Sequence, residues 1–385
     1  MIKAYFDNAA TTRMRAEALE AFAKASETFA NPSSLHSEGY AASSLLEASR
    51  KALSAVIGAG KKDQVIFTGC GTESNNMMLF GSAYAKPSNP GKRIIISDSE
   101  HPSVYLAAEE LGRRGFDIKT VRTAGGRTDP EQLSELVDKN TLLVSIMTVN
   151  NESGALYDIK TLCDVVKAKN PRTLFHTDAT QALMKTKISV RALGVDAMTV
   201  SAHKIGGPKG FGALYLSETA VRSRSVSPLL YGGGQEGGLR SGTENTAGAA
   251  AFAAAASAGY ATLDADISRV SELRGYITSG LSGIGVRVNE PASCVPHIIS
   301  ATLPGIRSEV MLHHLSARGV YVSSGSACSS HHPGVSRPMQ AFGLSEREAD
   351  CTVRISLCPE NTVEEADLLL EGVADGVKNL IKMYK

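Results

Sequence analysis

Six cysteines in 385 residues are too few for a disulfide scaffold, and no C-x-x-C pair suggests a structural zinc site. An excess of one charge is missing too. Lys and Arg total 40 against 39 Asp and Glu, a net charge of +1, so bulk charge does not hold a nucleic acid and no polybasic run offers a membrane anchor. Long hydrophobic runs are also absent. The most apolar stretch, 247–261, is alanine-rich, interrupted by Gly248, Ser257 and Gly259, and shorter than the roughly 20 residues that span a bilayer. The N-terminus, MIKAYFDNAATT, has one lysine and no apolar stretch behind it, so it does not read as a targeting signal. Together these absences predict a cytoplasmic protein with reduced thiols, no membrane contact and no direct nucleic-acid binding.

What is present points to a folded chain of about two or three domains. Hydrophobic residues make up 43% and charged residues 21%, enough for a large core. The 36 glycines cluster, which marks tight turns and close backbone approaches. Strand-like runs occur at 65–69, 93–97, 117–121, 142–149, 173–177, 197–202 and 212–216. Several show no polar alternation, as expected of a sheet covered on both faces. Amphipathic stretches at 103–115, 130–139 and 159–168 lie between them. This alternation predicts an α/β domain on a mainly parallel seven-stranded sheet, with ligands at the carboxyl ends of the strands. Helices at 246–258 and 267–281, short strands at 297–303, 319–324 and 352–357, and a terminal helix at 363–383 predict a smaller α+β domain. The expected division is 14–260 for the large domain, with 1–13 and 261–385 in the small one.

Polar residues at the predicted strand ends carry the chemistry. In SAHKIGGPKG (201–210) a strand ends on Ser201, His203 and Lys204. Lys204 reads either as a solvated loop lysine or as a Schiff-base lysine, whose lone pair partial desolvation exposes. Asp178 ends TLFHTD and reads as a helix N-cap or as the partner of a pyridinium nitrogen. TGCGTESNN (68–76) offers a helix start with Gly71 and Thr72 for a phosphate, or an ordinary capped helix. It is neither a P-loop nor G-x-G-x-x-G. His101, in SEHPS, is a solvated loop histidine or one placed to stack on a planar cofactor and move protons. VSSGSACSSHHPG (322–334) puts Cys328 in a Ser/Gly-rich run that predicts a mobile, reactive thiol. Cys328, His331 and His332 are also close enough in sequence to ligate a metal, although no metal site is expected. Cys163 lies on a helical pattern and reads as core.

Taken together, the segments DNAATT (7–12), NPSSLH (31–36), TGCGTES, SEHPS, VNNESG (149–154), HTDATQ (176–181), SAHKIGGPKG, GGGQEGGLRSGTEN (232–245), SSGSACSS (323–330) and VRISL (353–357) resemble the cysteine desulfurase family. These are pyridoxal-phosphate enzymes of the aspartate-aminotransferase fold (fold type I), and SSGSAC is similar to the NifS/IscS-like, mobile-loop class. The resemblance covers nearly the whole chain. It implies conversion of L-cysteine to L-alanine with the sulfur left as a persulfide on Cys328, for iron–sulfur cluster assembly or tRNA thiolation. By the same resemblance Lys204 would hold pyridoxal 5'-phosphate and move the α-proton. Asp178 would face the pyridine nitrogen, and His101 would stack on the ring. Asn151 and Gln181 would contact the phenolic-oxygen side. Gly71, Thr72, Ser201 and His203 would hold the phosphate, with Thr243 reaching it from the neighbouring subunit of a homodimer. Arg354 would clamp the substrate carboxylate, helped by Asn8 and Asn151. The partners implied are L-cysteine, a second copy of the chain and a protein sulfur acceptor, either a cluster scaffold or a tRNA-thiolation protein. The resemblance implies that a longer tail helps bind a cluster scaffold, so the end at Lys385, soon after the last helix, counts against the scaffold and toward a tRNA-thiolation protein as the acceptor. Cys70 replaces a usual glycine in the phosphate loop, where it is expected to crowd the turn. Two other readings stay open from the residues alone: another fold-type-I activity, such as a selenocysteine lyase or aminotransferase, and a non-enzymatic sulfur- or metal-handling protein.

Overall fold

The computed structural model describes residues 4–85, 92–325, 336–380 and 383. Its centre is a seven-stranded sheet: β1 (Gln64–Thr68), β2 (Arg93–Ser97), β3 (Asp117–Val121), β4 (Thr141–Ser145), β5 (Leu174–Asp178), β6 (Ala197–Ser201) and β7 (Gly212–Leu216). The order across the sheet is β1-β7-β6-β5-β4-β2-β3. All strands are parallel except β7, which runs against both β1 and β6. The reversal has a local cause: β6 and β7 are joined by residues 202–211, too few for a helical crossover. Every residue of β4, β5, β6 and β7 is buried, which is why these strands read as unbroken apolar runs. The mainly parallel seven-stranded sheet is therefore as expected, with β2, β3 and β7 bounded as read from the sequence, six ends of the other strands displaced by one residue, and the end of β4 displaced by four.

One helix departs from the expected pattern. Two helices at 246–258 and 267–281 are in fact a single 38-residue helix, Thr246–Gly283. Gly259, read as a break, is a close-packed position: a Cβ there would sit 3.1 Å from the Met184 side chain. No proline follows it, and Thr262 Oγ1 donates to Asp266 Oδ2 (2.7 Å) along the exposed face. The first half of this helix, through Phe252 and Ala256, belongs to the core under the large sheet. Its second half, through Val270, Leu273, Ile277 and Leu281, belongs to a second core. Helices Ala16–Ser26 and Ser37–Val56, which the periodicity does not reveal, pack along the first half.

The second core lies beneath a three-stranded antiparallel sheet of Arg287–Val288, Ile298–Thr302 and Thr352–Ser356, and the terminal helix Val363–Asn379 contributes Ala366, Leu369 and Val373 to it. The N-terminal strand Ala4–Tyr5 pairs in parallel with Val320–Tyr321, and Phe6 is buried in the same core. The strand expected at 319–324 is thus only two residues long, extended by an isolated bridge between Ser323 and Arg354. Among the described residues no helix is long and apolar enough to cross a membrane, and no group of three His, Cys, Asp or Glu side chains could hold a metal ion.

The uninterrupted helix yields a prediction. Ala261 is exposed and lies where the sequence pattern suggests a linker. Ala261→Pro should lower unfolding stability by about 3 kcal/mol or more, since proline removes a backbone bond and clashes with the preceding turn. Urea denaturation measures this, and an unchanged midpoint would mean the helix is broken there.

Candidate active site

The carboxyl ends of β1, β2, β5 and β6 open on one side of the sheet, and the polar residues at those ends surround a cavity of about 170 Å³. β5 is the central strand and ends on Asp178, which is 6% exposed. Its Oδ1 accepts from Thr180 N (2.9 Å), closing a turn; no helix starts at Ala179, so Asp178 is not the helix N-cap that the sequence allowed. Its Oδ2 accepts from Asn75 Nδ2 (2.7 Å). The same amide nitrogen donates to Ser103 Oγ (2.8 Å), and that hydroxyl lies 2.8 Å from His101 Nδ1. A continuous line therefore runs from His101 through Ser103 and Asn75 to Asp178. Ser103 N also donates to His101 Nδ1 (3.2 Å). A nitrogen that accepts from a backbone N–H carries no proton of its own, so neutral His101 holds its proton on Nε2. Burial lowers the His101 pKa; Asp178 opposes that shift and Lys204 reinforces it. The ring is thus kept neutral.

Lys204 ends the short 3₁₀ turn Ala202–Lys204 that follows β6. Its Nζ donates to Ala9 O (2.6 Å) and Ala10 O (2.8 Å), which holds the amine on the cavity wall opposite the helix that carries His101 at its cap. Gln181 Nε2 donates to the same Ala9 carbonyl (2.8 Å). His203 faces Thr11 Oγ1 at 3.2 Å. Burial, then Lys204 and Lys209, push its pKa down to about 4.

The loop after β1 turns into helix Gly71–Tyr84, whose first backbone N–H groups have no intrahelical acceptor. A Cβ on Gly71 would come within 3.2 Å of Thr180 Oγ1 and 3.5 Å of Ser201 Cβ, so this part of the cavity needs a glycine. Cys70 does not crowd the turn as expected. It is the N-cap, and its Sγ accepts weakly from Glu73 N (3.5 Å). Arg354 enters from the small sheet and is 3% exposed. Its Nη1 donates to Asn151 O (2.9 Å) and its Nη2 to Asp7 Oδ1 (2.8 Å). Among the described residues Arg354 Nε and Asn151 Oδ1 are buried without a partner.

The structure therefore brings Gly71, Thr72, His101, Asn151, Asp178, Gln181, Ser201, His203, Lys204 and Arg354 to one cavity. Asn8 is not among them. Its amide donates to Ser356 O (3.0 Å) and Asn361 Oδ1 (3.3 Å), and it faces a separate, larger cavity. Thr243 is exposed, away from this cavity. Cys328, His331 and His332 lie outside the described residues. Asn75 and Ser103 were not singled out from sequence, although both lie in quoted motifs. Their signal is positional: each follows a cavity residue by two to four helical positions.

The donor set fits a phosphorylated pyridine aldehyde. It combines a buried carboxylate at one end of the cavity, a helix N-terminus with Thr72, Ser201 and His203, and a primary amine on the wall. The aminotransferase class-V model matches residues 4–369. The chain belongs to the aminotransferase class-V family. It stands among that family's cysteine desulfurases. A NifS/IcsS protein homolog of Lactobacillus delbrueckii subsp. bulgaricus is 41% identical over 369 residues, covering 94% of each chain. The cysteine desulfurase IscS of Dictyoglomus turgidum is 38% identical, covering 99% of this chain and 96% of its own. Among solved structures, a NifS-like protein superposes with a TM-score of 0.92 at 35% identity, covering 98% of this chain and 100% of that one. SspA in complex with cysteine gives a TM-score of 0.81 at 31% identity over 94% of this chain and 100% of that one.

Beneath the cavity lies Glu100, fully buried. Its Oε1 accepts from Ser97 Oγ (2.5 Å) and Met147 N (2.8 Å), while Oε2 has no partner among the described residues. Burial pushes its pKa up to about 8 from an ordinary 4.5. Between those values the folded chain holds a proton that the unfolded chain has lost, so this group destabilises the fold increasingly as pH rises through that window. Glu100→Gln should therefore gain stability over the parent by about 1 kcal/mol per pH unit between pH 5 and 8. Parallel urea titrations at the two pH values test this, and an equal gain at both would contradict it.

Proposed function

We propose that this family member converts L-cysteine to L-alanine and leaves the sulfur on Cys328 as a persulfide. The observation that carries the reading is the single cavity holding Lys204, Asp178, His101 and Arg354, each in a hydrogen-bonding state suited to its task. Pyridoxal 5'-phosphate is the cofactor this cavity suits, and when bound it supplies an electron sink for charge developing at the substrate α-carbon. Lys204 would hold it, with Asp178 at the ring nitrogen, His101 against the ring, Asn151 and Gln181 on the oxygen side, and Gly71, Thr72, Ser201 and His203 at the phosphate.

The protein's own groups then divide the work. Arg354 binds the substrate carboxylate. Asp7 and the Asn151 carbonyl hold the guanidinium in place, so little side-chain freedom is lost on binding. Lys204 takes the α-proton and returns it. Asp178, which accepts from the Asn75 amide and the Thr180 N–H, is placed to face a cationic nitrogen. His101, neutral with its proton on Nε2, can donate or shuttle that proton in a site that excludes bulk water. Cys328 thiolate forms a bond to the substrate sulfur as the carbon–sulfur bond breaks, and a proton completes the methyl group. L-Cysteine plus the Cys328 thiol thus become L-alanine plus a Cys328 persulfide, with no external oxidant.

Two of the other thiols are poorly suited to this role. Burial pushes Cys163 and Cys358 up to about 12, and the five described cysteines are unpaired. Unpaired thiols and a persulfide intermediate both suit a reducing compartment, which supports a cytoplasmic setting. A homodimer completes the site in this reading, with Thr243 reaching the partner's phosphate. Exposed Leu230, Tyr231, Phe29 and Leu35 support such an interface. The sulfur then passes to an acceptor protein, a cluster scaffold or a tRNA-thiolation protein.

Cys328→Ala should retain the visible absorbance acquired with pyridoxal phosphate yet form neither persulfide nor alanine. Sulfur transfer at the parent rate in that variant would sink the reading. Lys204→Ala should lose the visible band. Asp7→Asn should raise KM for L-cysteine about 10-fold with kcat nearly unchanged, since a charge-assisted bond of about 1.5 kcal/mol holds Arg354 for ground and transition states alike. Steady-state alanine production measures the split, and a fall in kcat alone would contradict it.

A further inference from the structure

The segment 232–245 is tied to its own subunit's phosphate loop at two points. Glu236 is the first. Its φ of +52° puts a non-glycine residue in the left-handed region, a conformation that needs outside support. The support is a two-pronged pair: Arg50 Nη1 and Nη2 donate to Glu236 Oε2 and Oε1 (2.6 and 3.0 Å). Phe67 N, in β1, donates to Glu236 Oε2 as well (3.0 Å). Glu73 is the second. Its Oε2 accepts from Gly69 N (2.7 Å), the backbone of the phosphate loop. Its Oε1 accepts from Arg240 Nε (2.9 Å). One carboxylate thus joins two otherwise separate loops.

The fit around Glu73 is close. A Cβ on Gly69 would sit 2.8 Å from Glu73 Oε2, so the loop backbone rests directly against the carboxylate. Arg240 is tied down on its other side: its backbone bridges Leu230, and Gly242 N donates to Gln235 Oε1 (2.9 Å). Three residues beyond Arg240 comes Thr243, exposed on the surface. Movement of Gly69 and Glu73 is therefore transmitted through Arg240 to the backbone that presents Thr243.

We propose that the Glu73–Arg240 pair couples the two cofactor sites of a dimer, so that the phosphate loop of one subunit sets the position of the Thr243 it offers to the other. Glu73 and Arg240 are positioning residues: neither lines the cavity. This rests on the dimeric, pyridoxal-phosphate-binding reading above, and the experiment separates the two. Heterodimers are prepared by dual-tag purification, pairing a parent subunit with one carrying Lys204→Ala. The Lys204→Ala site gives no visible band, so the band titrated with pyridoxal phosphate reports only the parent subunit's site. Glu73→Gln is then added to the silent subunit, whose own site is already dark. The parent subunit's affinity should weaken about 5-fold, and Arg240→Gln in the silent subunit should do the same. Adding both should weaken it no further, because they break one connection. An unchanged affinity in dimers that remain associated by sedimentation overturns the coupling and leaves the functional reading intact. A parent protein that is monomeric, or that acquires no visible band, overturns both. Should Glu73→Gln loosen the dimer, Glu73→Asp keeps the charge, shortens the reach and carries the same comparison.

Discussion

A carboxylate buried at the end of the central strand needs donors, and much of the site is arranged to provide them. Asp178 is almost wholly buried, and an unpaired buried charge would cost several kcal/mol. Asn75 from a helix and the Thr180 backbone N–H from the turn after the strand supply hydrogen bonds. Asn75 can donate there only with its amide oriented by Ser103, and Ser103 in turn holds His101. One residue at a strand end is therefore linked, through Asn75 and Ser103, to the tautomer of an imidazole. Parallel strands make this possible, since they bring the N-termini of successive helices to the same edge.

The sheet was legible because its strands are covered on both faces, so β4 to β7 show as apolar runs with polar residues only where they end. The same feature exposed Asp178, Ser201 and Lys204 as candidates. Residues whose polarity has a bland local explanation were harder to see. Asn75 and Ser103 look like ordinary first-turn helix residues, and nothing in one sequence says that their amide and hydroxyl face each other across two helices. Asn8 misled in the opposite way. It adjoins Ala9, which lines the cavity, but in the turn at 8–10 the Asn8 side chain is bonded to Ser356 and Asn361 instead. The long helix was divided because Gly259 was read as backbone punctuation, whereas its missing side chain makes room for Met184.

Cys70 shows how a weak residue is tolerated at a demanding position. A thiol is a poor N-cap, and Ser or Asp would bond Glu73 N more strongly. The turn does not rely on it, because the Glu73 carboxylate takes the Gly69 N–H at 2.7 Å. The Cys70 thiol makes only a weak capping bond to Glu73 N, while the loop backbone is held by the Glu73 carboxylate.

The N-terminal segment links the two cores to the chemistry. Phe6 is buried in the small core, Ser356 N donates to its carbonyl (2.7 Å), and Asp7 holds Arg354. Two residues on, the Ala9 and Ala10 carbonyls hold Lys204, and Thr12 N donates to His203 O (3.0 Å) in the large domain. Seven consecutive residues thus fix both the Lys204 amine and the Arg354 guanidinium. Any displacement of the small core relative to the sheet must pass through this strip, and it would move Asp7 and Ala9 together. A displacement of the Arg354 guanidinium that draws Asp7 with it would therefore be felt at the Lys204 amine through two residues of backbone alone.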